Sequence, residues 1–198
     1  MTTSHSPDHA LESLLAERQG PAAISSFLDR LSHDERVAAV RGLGRRAVAK
    51  LFHSVDGFAE LGLSDMVPGG VPALEPVRHY GLNSLWVARV FEKRFYRTAS
   101  GDEVGGANFQ SISPLTGPGY FSARRDPQRA EVLIDYQRLP SETPTGWPAL
   151  QGNEHGIARL VYGFMIDRLR RVSEHVTVGS ASRDGKDLHA YFVLCRQG

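Results

Sequence analysis

The chain has 198 residues and a mass of 21.8 kDa, enough for one ordinary domain or a domain with a small appendage. At 41% hydrophobic and 23% charged residues it has the make-up of a globular protein that buries a real core. A net charge of +1 demands no polyelectrolyte partner, and the single cysteine, Cys195, excludes an internal disulfide framework and a multi-cysteine zinc site.

The first eight residues are polar and lack a basic start followed by an apolar run. The longest apolar stretches, such as residues 160–166, fall far short of the roughly 20 residues a spanning helix needs. The expectation is a cytoplasmic protein with neither a membrane nor a nucleic-acid partner.

Residues 8–56 carry helical periodicity. Leu11, Leu14 and Leu15 form a first apolar stripe, and Gly20-Pro21 interrupts it with proline placed to open a second helix. Ile24, Phe27, Leu28 and Leu31 repeat the i, i+3, i+4, i+7 pattern. Ser32-His33-Asp34-Glu35 has the form of a capping box, in which hydroxyl and carboxylate each satisfy an otherwise orphan backbone amide. Val37, Val40, Leu43, Ala47, Leu51 and Phe52 then share one face, giving three helices in all. Arg36, Arg41, Arg45, Arg46 and Lys50 lie on the polar face. Because residues 1–66 hold seven basic and nine acidic side chains, this reads as a solvated face and not as a nucleic-acid surface.

Pro68, Gly69, Gly70, Pro72 and Pro76 break regular structure, so residues 64–86 read as a linker or wrapping segment between a helical segment, 1–63, and a β-rich part, 87–198. In that part, turns at Ser100-Gly101-Asp102, Arg125-Asp126-Pro127 and Asp184-Gly185 separate β-rich runs over 104–112, 119–123, 130–139, 157–166, 176–182 and 188–196. Residues 91–98 read as a further strand entered through a short turn, and residues 167–174 as a turn or single helical turn between strands. Short strands with hairpin-like turns favour an antiparallel barrel, since parallel strands need long crossovers. The fold expected is α+β, mainly β: an antiparallel β-barrel preceded by a three-helix segment.

The stretch from Leu160, LVYGFMIDRLRRVSEHVTVGSASRDGKDLHAYFVLCR, together with Phe91-Glu92-Lys93-Arg94-Phe95 upstream, resembles small bacterial lipocalin-like (calycin) barrels. The resemblance covers about a quarter of the chain, and the G-x-W opening motif common among calycins is missing. It implies an up-and-down barrel with room for a small apolar molecule, and no catalytic residues to carry over.

Standard nucleotide and nucleophile motifs are missing. Gly179 to Lys186 has the wrong glycine spacing for a P-loop and places Asp187 where a magnesium-binding Ser or Thr belongs, so a hairpin explains it better. No G-x-S-x-G elbow and no H-E-x-x-H helix occurs, and the eight histidines form no metal signature. No cofactor is implied.

A carrier for a small, largely apolar organic molecule is the first functional reading, with His79, Tyr80, Phe109, Tyr120, Ile134, Tyr136, Trp147, Phe164 and Tyr191 as candidate ligand-binding residues. Trp147 lies in the longest candidate loop, 141–156, where it lines the site or plugs one end of the barrel. The alternative is a cofactor-free isomerase, cyclase or lyase in the same cavity, with Asp135, Tyr162 or His175 moving a proton. Asp135 serves that role only if it faces the cavity; facing water, it is an alternation partner in its strand. Arg138 and Asp167 read as a strand-end pair, Gly117-Pro118-Gly119 as a hairpin corner and Cys195 as a small buried residue. A third reading makes the N-terminal helices a docking module for a protein partner.

Overall fold

The computed structural model describes residues 7–85, 89–109, 119–152 and 163–198. Among these residues, helices α1 (Pro7–Ala16), α2 (Pro21–Asp29), α3 (His33–Arg41), α4 (Arg45–Ser54) and the single turn α5 (Leu63–Met66) precede eight strands. These are β1 (Val77–Asn83), β2 (Val90–Arg97), β3 (Val104–Phe109), β4 (Tyr120–Arg125), β5 (Val132–Asp135), β6 (Met165–Arg171), β7 (Val176–Arg183) and β8 (Lys186–Arg196). Every strand pairs antiparallel with its chain neighbour, and β1 pairs with β8, so the sheet closes into an up-and-down barrel. This is the α+β, mainly β architecture expected from the sequence.

The helical punctuation follows the residues that encode it. Pro21 sits in the first turn of α2 behind Gly20, and the Ser32–Glu35 capping box opens α3, with Glu35 accepting from the Ser32 amide at 2.8 Å. The long third helix of the sequence pattern is divided: Gly42 closes α3, Gly44 opens α4, and buried Leu43 bridges them. The polar face also differs at one position. Arg36 is buried, its guanidinium donating to the carbonyls of Leu28 at 3.1 Å and Leu31 at 2.7 Å, and so satisfying the frayed end of α2. Arg41, Arg45 and Arg46 are exposed as expected.

Period-2 alternation sorts the barrel residues between two cores. Leu82, Val176, Val178, Tyr191, Val193 and Cys195 point outward from β1, β7 and β8 and pack with Leu11, Ile24, Leu28, Val40, Leu51 and Phe52 of the helices. Phe91, Phe95, Phe121, Ile134, Tyr136, Leu169 and Phe192 point inward and form a core within the barrel. Glycines in three strands make that packing possible, and a Cβ on Gly81 would lie 2.6 Å from the Phe91 ring. A Cβ on Gly106 would lie 2.4 Å from Phe121 and 2.5 Å from the Arg94 carbonyl, and one on Gly179 would lie 2.4 Å from Phe192.

One end of the barrel, here the lower, is closed by residues 61–71. Leu61, Met66 and Val67 join the interior core, and Arg97 donates to the carbonyls of Val67 and Pro68, each at 3.0 Å, and to Gly69 at 3.3 Å. The upper end is marked by Asn83, Val90, Phe109, Tyr120, Asp135 and Met165, and by the β7–β8 hairpin. That hairpin turns on Asp184 and Gly185, both at positive φ (49° and 74°), the conformation a two-residue D-G turn requires.

Three segments depart from the sequence reading. β1 lies within residues 64–86, where proline and glycine masked a seven-residue strand. Of residues 167–174, expected as a turn between strands, only 172–174 belong to one: β6 runs through Arg171 because its apolar and polar positions alternate against β5 and β7. The strand expected over 157–166 falls largely on residues outside the described set, and within that set β6 begins at Met165. None of the described helices is long and apolar enough to cross a membrane.

Candidate functional site

Among the described residues, the barrel interior holds a cluster of four polar side chains in a largely apolar lining. Phe91, Lys93 and Phe95 alternate inward on β2, which places the Lys93 ammonium among rings. Its Nζ lies 5.0–5.7 Å from the ring centroids of Tyr136, Phe192, Phe121 and Phe91. The same alternation brings Asn108 in from β3 and Asp167 from β6, and Tyr136 follows directly after β5.

These four side chains close a hydrogen-bonded ring. Lys93 Nζ donates to Asn108 Oδ1 at 2.9 Å, to Asp167 Oδ2 at 3.1 Å and to the Tyr136 hydroxyl. Tyr136 accepts from Asn108 Nδ2 at 2.8 Å and donates to Asp167 Oδ2 at 3.2 Å. The Lys93 and Asp167 side chains are 2% and 3% exposed, so this is an ion pair taken almost completely out of water. Burial pushes the Lys93 pKa down and the Asp167 pKa up, while their mutual attraction opposes both shifts. All three ammonium protons are used, whereas Asp167 Oδ1, equally buried, has no hydrogen-bond partner. Asp167 therefore pairs with Lys93 across the barrel and not with Arg138 at a strand end.

Of the candidate ligand-binding residues, Ile134, Tyr136 and His79 belong to the interior. His79 lies toward the closed end, stacked 4.7 Å from Phe95 with Nε2 donating to the Met66 carbonyl at 3.0 Å. Burial drives its pKa down to about 3, so it is a neutral imidazole committed to the plug.

Others lie on the outer wall. Tyr120 and Phe109 pack against Trp147, at centroid distances of 6.2 Å and 5.1 Å, and Tyr96 joins them at 5.4 Å. Tyr120 donates to the Pro148 carbonyl and Tyr96 to that of Glu142, each at 2.5 Å. Trp147 thus clasps residues 141–148 onto the outside of β2–β4 and plugs neither end. Tyr191 faces the helices, its hydroxyl 3.2 Å from His53 Nε2, and Phe164 is 44% exposed at the upper end. Tyr80 and Phe109 both line an outer groove of about 660 Å³, shared with His33 and Val37 of α3 and with Val90 and Glu92 of β2.

Of the candidate proton-transfer residues, Asp135 and His175 do not come together. Asp135 is buried on the outward side of β5 and accepts from the Gln137 amide at 3.0 Å. His175 sits at the opposite end of the barrel in the β6–β7 turn, 3.6 Å from Glu174; burial and the charges of Arg36 and Arg196 hold its pKa below the usual value. Tyr162 lies outside the described residues. The sequence reading passed over Lys93, Asn108 and Asp167 as site residues. The signal for Lys93 was its register with Phe91 and Phe95, and for Asp167 its register with Leu169, each placing a charge on an apolar face. Among the described residues, no group of three or more His, Cys, Asp or Glu side chains is placed to share a metal ion.

An ion pair inside a closed barrel can hold one proton between two groups, orient a polar ligand head and supply an amine and a carboxyl group to the same substrate atom. No family model, no curated protein and no solved structure matches the chain.

Proposed function

We propose that the protein binds a small, largely apolar organic molecule inside the barrel, with one polar group of that molecule seated on the Lys93–Asp167–Tyr136–Asn108 cluster. The carrying observation is the unpartnered Oδ1 of Asp167 beside a fully engaged ammonium. A buried acceptor without a donor costs about 1–3 kcal/mol, which a ligand N–H or O–H would recover. Apolar residues packed in place of such an ion pair are often as stabilising, so a pair kept here favours a role in recognition. Phe91, Phe121 and Phe192 give the body of the ligand aromatic walls. Leu85, Phe164 and Leu188, exposed by 43%, 44% and 43% near the upper strand ends, supply an apolar approach. The likeness of the C-terminal strands to lipocalin-like barrels agrees with the same reading.

The test is native mass spectrometry of the purified protein, with extraction and identification of any co-purifying molecule. A stoichiometric apolar compound, lost in a folded Lys93→Met/Asp167→Leu double variant, is the expected result. A ligand retained by that variant, or a wild-type protein that is empty and takes up none of a panel of aryl aldehydes, alcohols and amides, would remove the proposal.

A further inference from the structure

The geometry points to a reactive lysine: we propose that Lys93 captures an aldehyde, of the aryl or α,β-unsaturated class, as an iminium inside the barrel. This rests on the interior-binding reading and gives the ligand's polar head a chemical identity, a carbonyl group.

Three observations support it. First, Lys93 Nζ lies 3.1 Å from Asp167 Oδ2, and Tyr136 bridges the two, so a proton can leave the ammonium for the carboxylate by a direct path. Burial acts on both partners in the direction of that transfer, giving a neutral amine beside a carboxylic acid. Second, Asp167 spends Oδ2 on Lys93 and Tyr136 and keeps Oδ1 without a partner, where a substrate oxygen can be met. Third, the four rings about Nζ suit a planar, conjugated body and a delocalised cation.

The step balances within the cluster and its substrate. Lys93 passes one proton to Asp167, and the freed amine lone pair forms a bond to the carbonyl carbon as the C=O π pair moves to oxygen. Asp167 returns its proton to that oxygen, and the attacking nitrogen loses a second proton to the resulting hydroxyl by way of the regenerated carboxylate. The hydroxyl leaves as water, and C=N forms. The products are one water and a protonated imine paired with the Asp167 carboxylate, so aldehyde and ammonium are consumed one for one and no oxidant or reductant is needed. Asp167 acts as proton shuttle and counter-ion, and Tyr136 and Asn108 fix the amine.

The chain holds three lysines, Lys50, Lys93 and Lys186, and the other two are exposed. This makes positional selectivity a direct test. The full chain is incubated with trans-cinnamaldehyde and sodium cyanoborohydride at neutral pH, and the reduced adduct is located by peptide mapping. The adduct is expected on Lys93 ahead of Lys50, Lys186 and the N-terminus, and is absent at that position in Lys93→Arg. Asp167→Asn is expected to slow trapping about a hundredfold, and uptake of trans-cinnamyl alcohol by the unaltered chain, read by native mass spectrometry, reports occupancy of the interior apart from the covalent step. Label concentrated on the exposed amines, or cinnamaldehyde taken up intact with no label at Lys93, overturns the iminium and leaves the binding site standing. If neither the aldehyde nor the alcohol is taken up, the iminium and the interior site fall together.

Discussion

Arg170 joins the barrel to the helices through Glu131. Its Nε lies 2.9 Å from Glu131 Oε1, both side chains are under 10% exposed, and the same guanidinium donates to the Phe52 carbonyl at the end of α4, also at 2.9 Å. The group stacks 4.0 Å from the Phe52 ring. Arg170→Met takes the buried donor from the Phe52 carbonyl and one of the cations from Glu131, which keeps Arg168, so it is expected to destabilise the protein by about 1–3 kcal/mol in urea titrations. Arg125→Met, which removes an exposed pair with Glu60, is expected to change stability by less than about 1 kcal/mol.

The shared core of the helices and the outer barrel wall sets a second expectation. Leu51 is fully buried in it, together with Val176, Val178 and Val193. Leu51→Ala is expected to cost about 2–5 kcal/mol, and deletion of residues 1–56 to yield a chain that fails to give a cooperative unfolding transition. A truncated barrel that melts cooperatively near the full-length temperature would instead support the helices as a detachable docking module.

Acid should weaken the closed end through His79. Its pKa is about 3 in the folded protein against 6.5 for the ordinary imidazole, so between those values the unfolded chain binds a proton that the native state does not. Stability contributed by this residue is therefore complete above pH 6.5 and falls as pH drops toward 3, by about 2 kcal/mol between pH 7.5 and 5. His79→Gln, which keeps a donor for Met66 but cannot titrate, is expected to flatten the pH dependence of unfolding by that amount. An unchanged slope would show that the imidazole is not held neutral.

The barrel wall is too tight at Gly106 for a methyl group. The added Cβ would meet both the Phe121 ring and the immovable Arg94 carbonyl, so Gly106→Ala is expected to cost about 1–3 kcal/mol or to open the β2–β3 pairing. Gly101, at φ 79° with open space around its missing side chain, should tolerate a D-alanine and not an L-alanine, a contrast that separates backbone strain from crowding. Thermal melts of the three proteins read the difference.

What was legible from sequence was what local chemistry encodes. The Ser32–Glu35 box, Pro21 at a helix start, the Asp184-Gly185 hairpin and the alternation of Val132, Ile134 and Tyr136 are each decided within a few residues, and each stands in the structure. β1 was hidden because its flanking prolines are used to wrap the barrel end, and β6 because Arg168-Leu169-Arg170-Arg171 satisfies its charges with Asp126, Glu131 and Asp65, all distant in sequence. The interior cluster was illegible for the same reason. Lys93, Asn108, Tyr136 and Asp167 come from four separate parts of the chain, and only barrel closure shows that one face of each strand is shared. Tyr120, Phe109 and Tyr191 were assigned to a cavity because aromatic residues in strands suit either face; the helices and the Trp147 clasp make the outer face a second interior.

Cys195 gives that second interior a built-in clock. The thiol is fully buried between β8 and the helices, and burial raises its pKa to about 11, so the intact protein presents no thiolate to solvent. Because the chain has no other cysteine, the rate at which a disulfide reagent consumes thiol measures how often the helical layer lifts from the barrel wall.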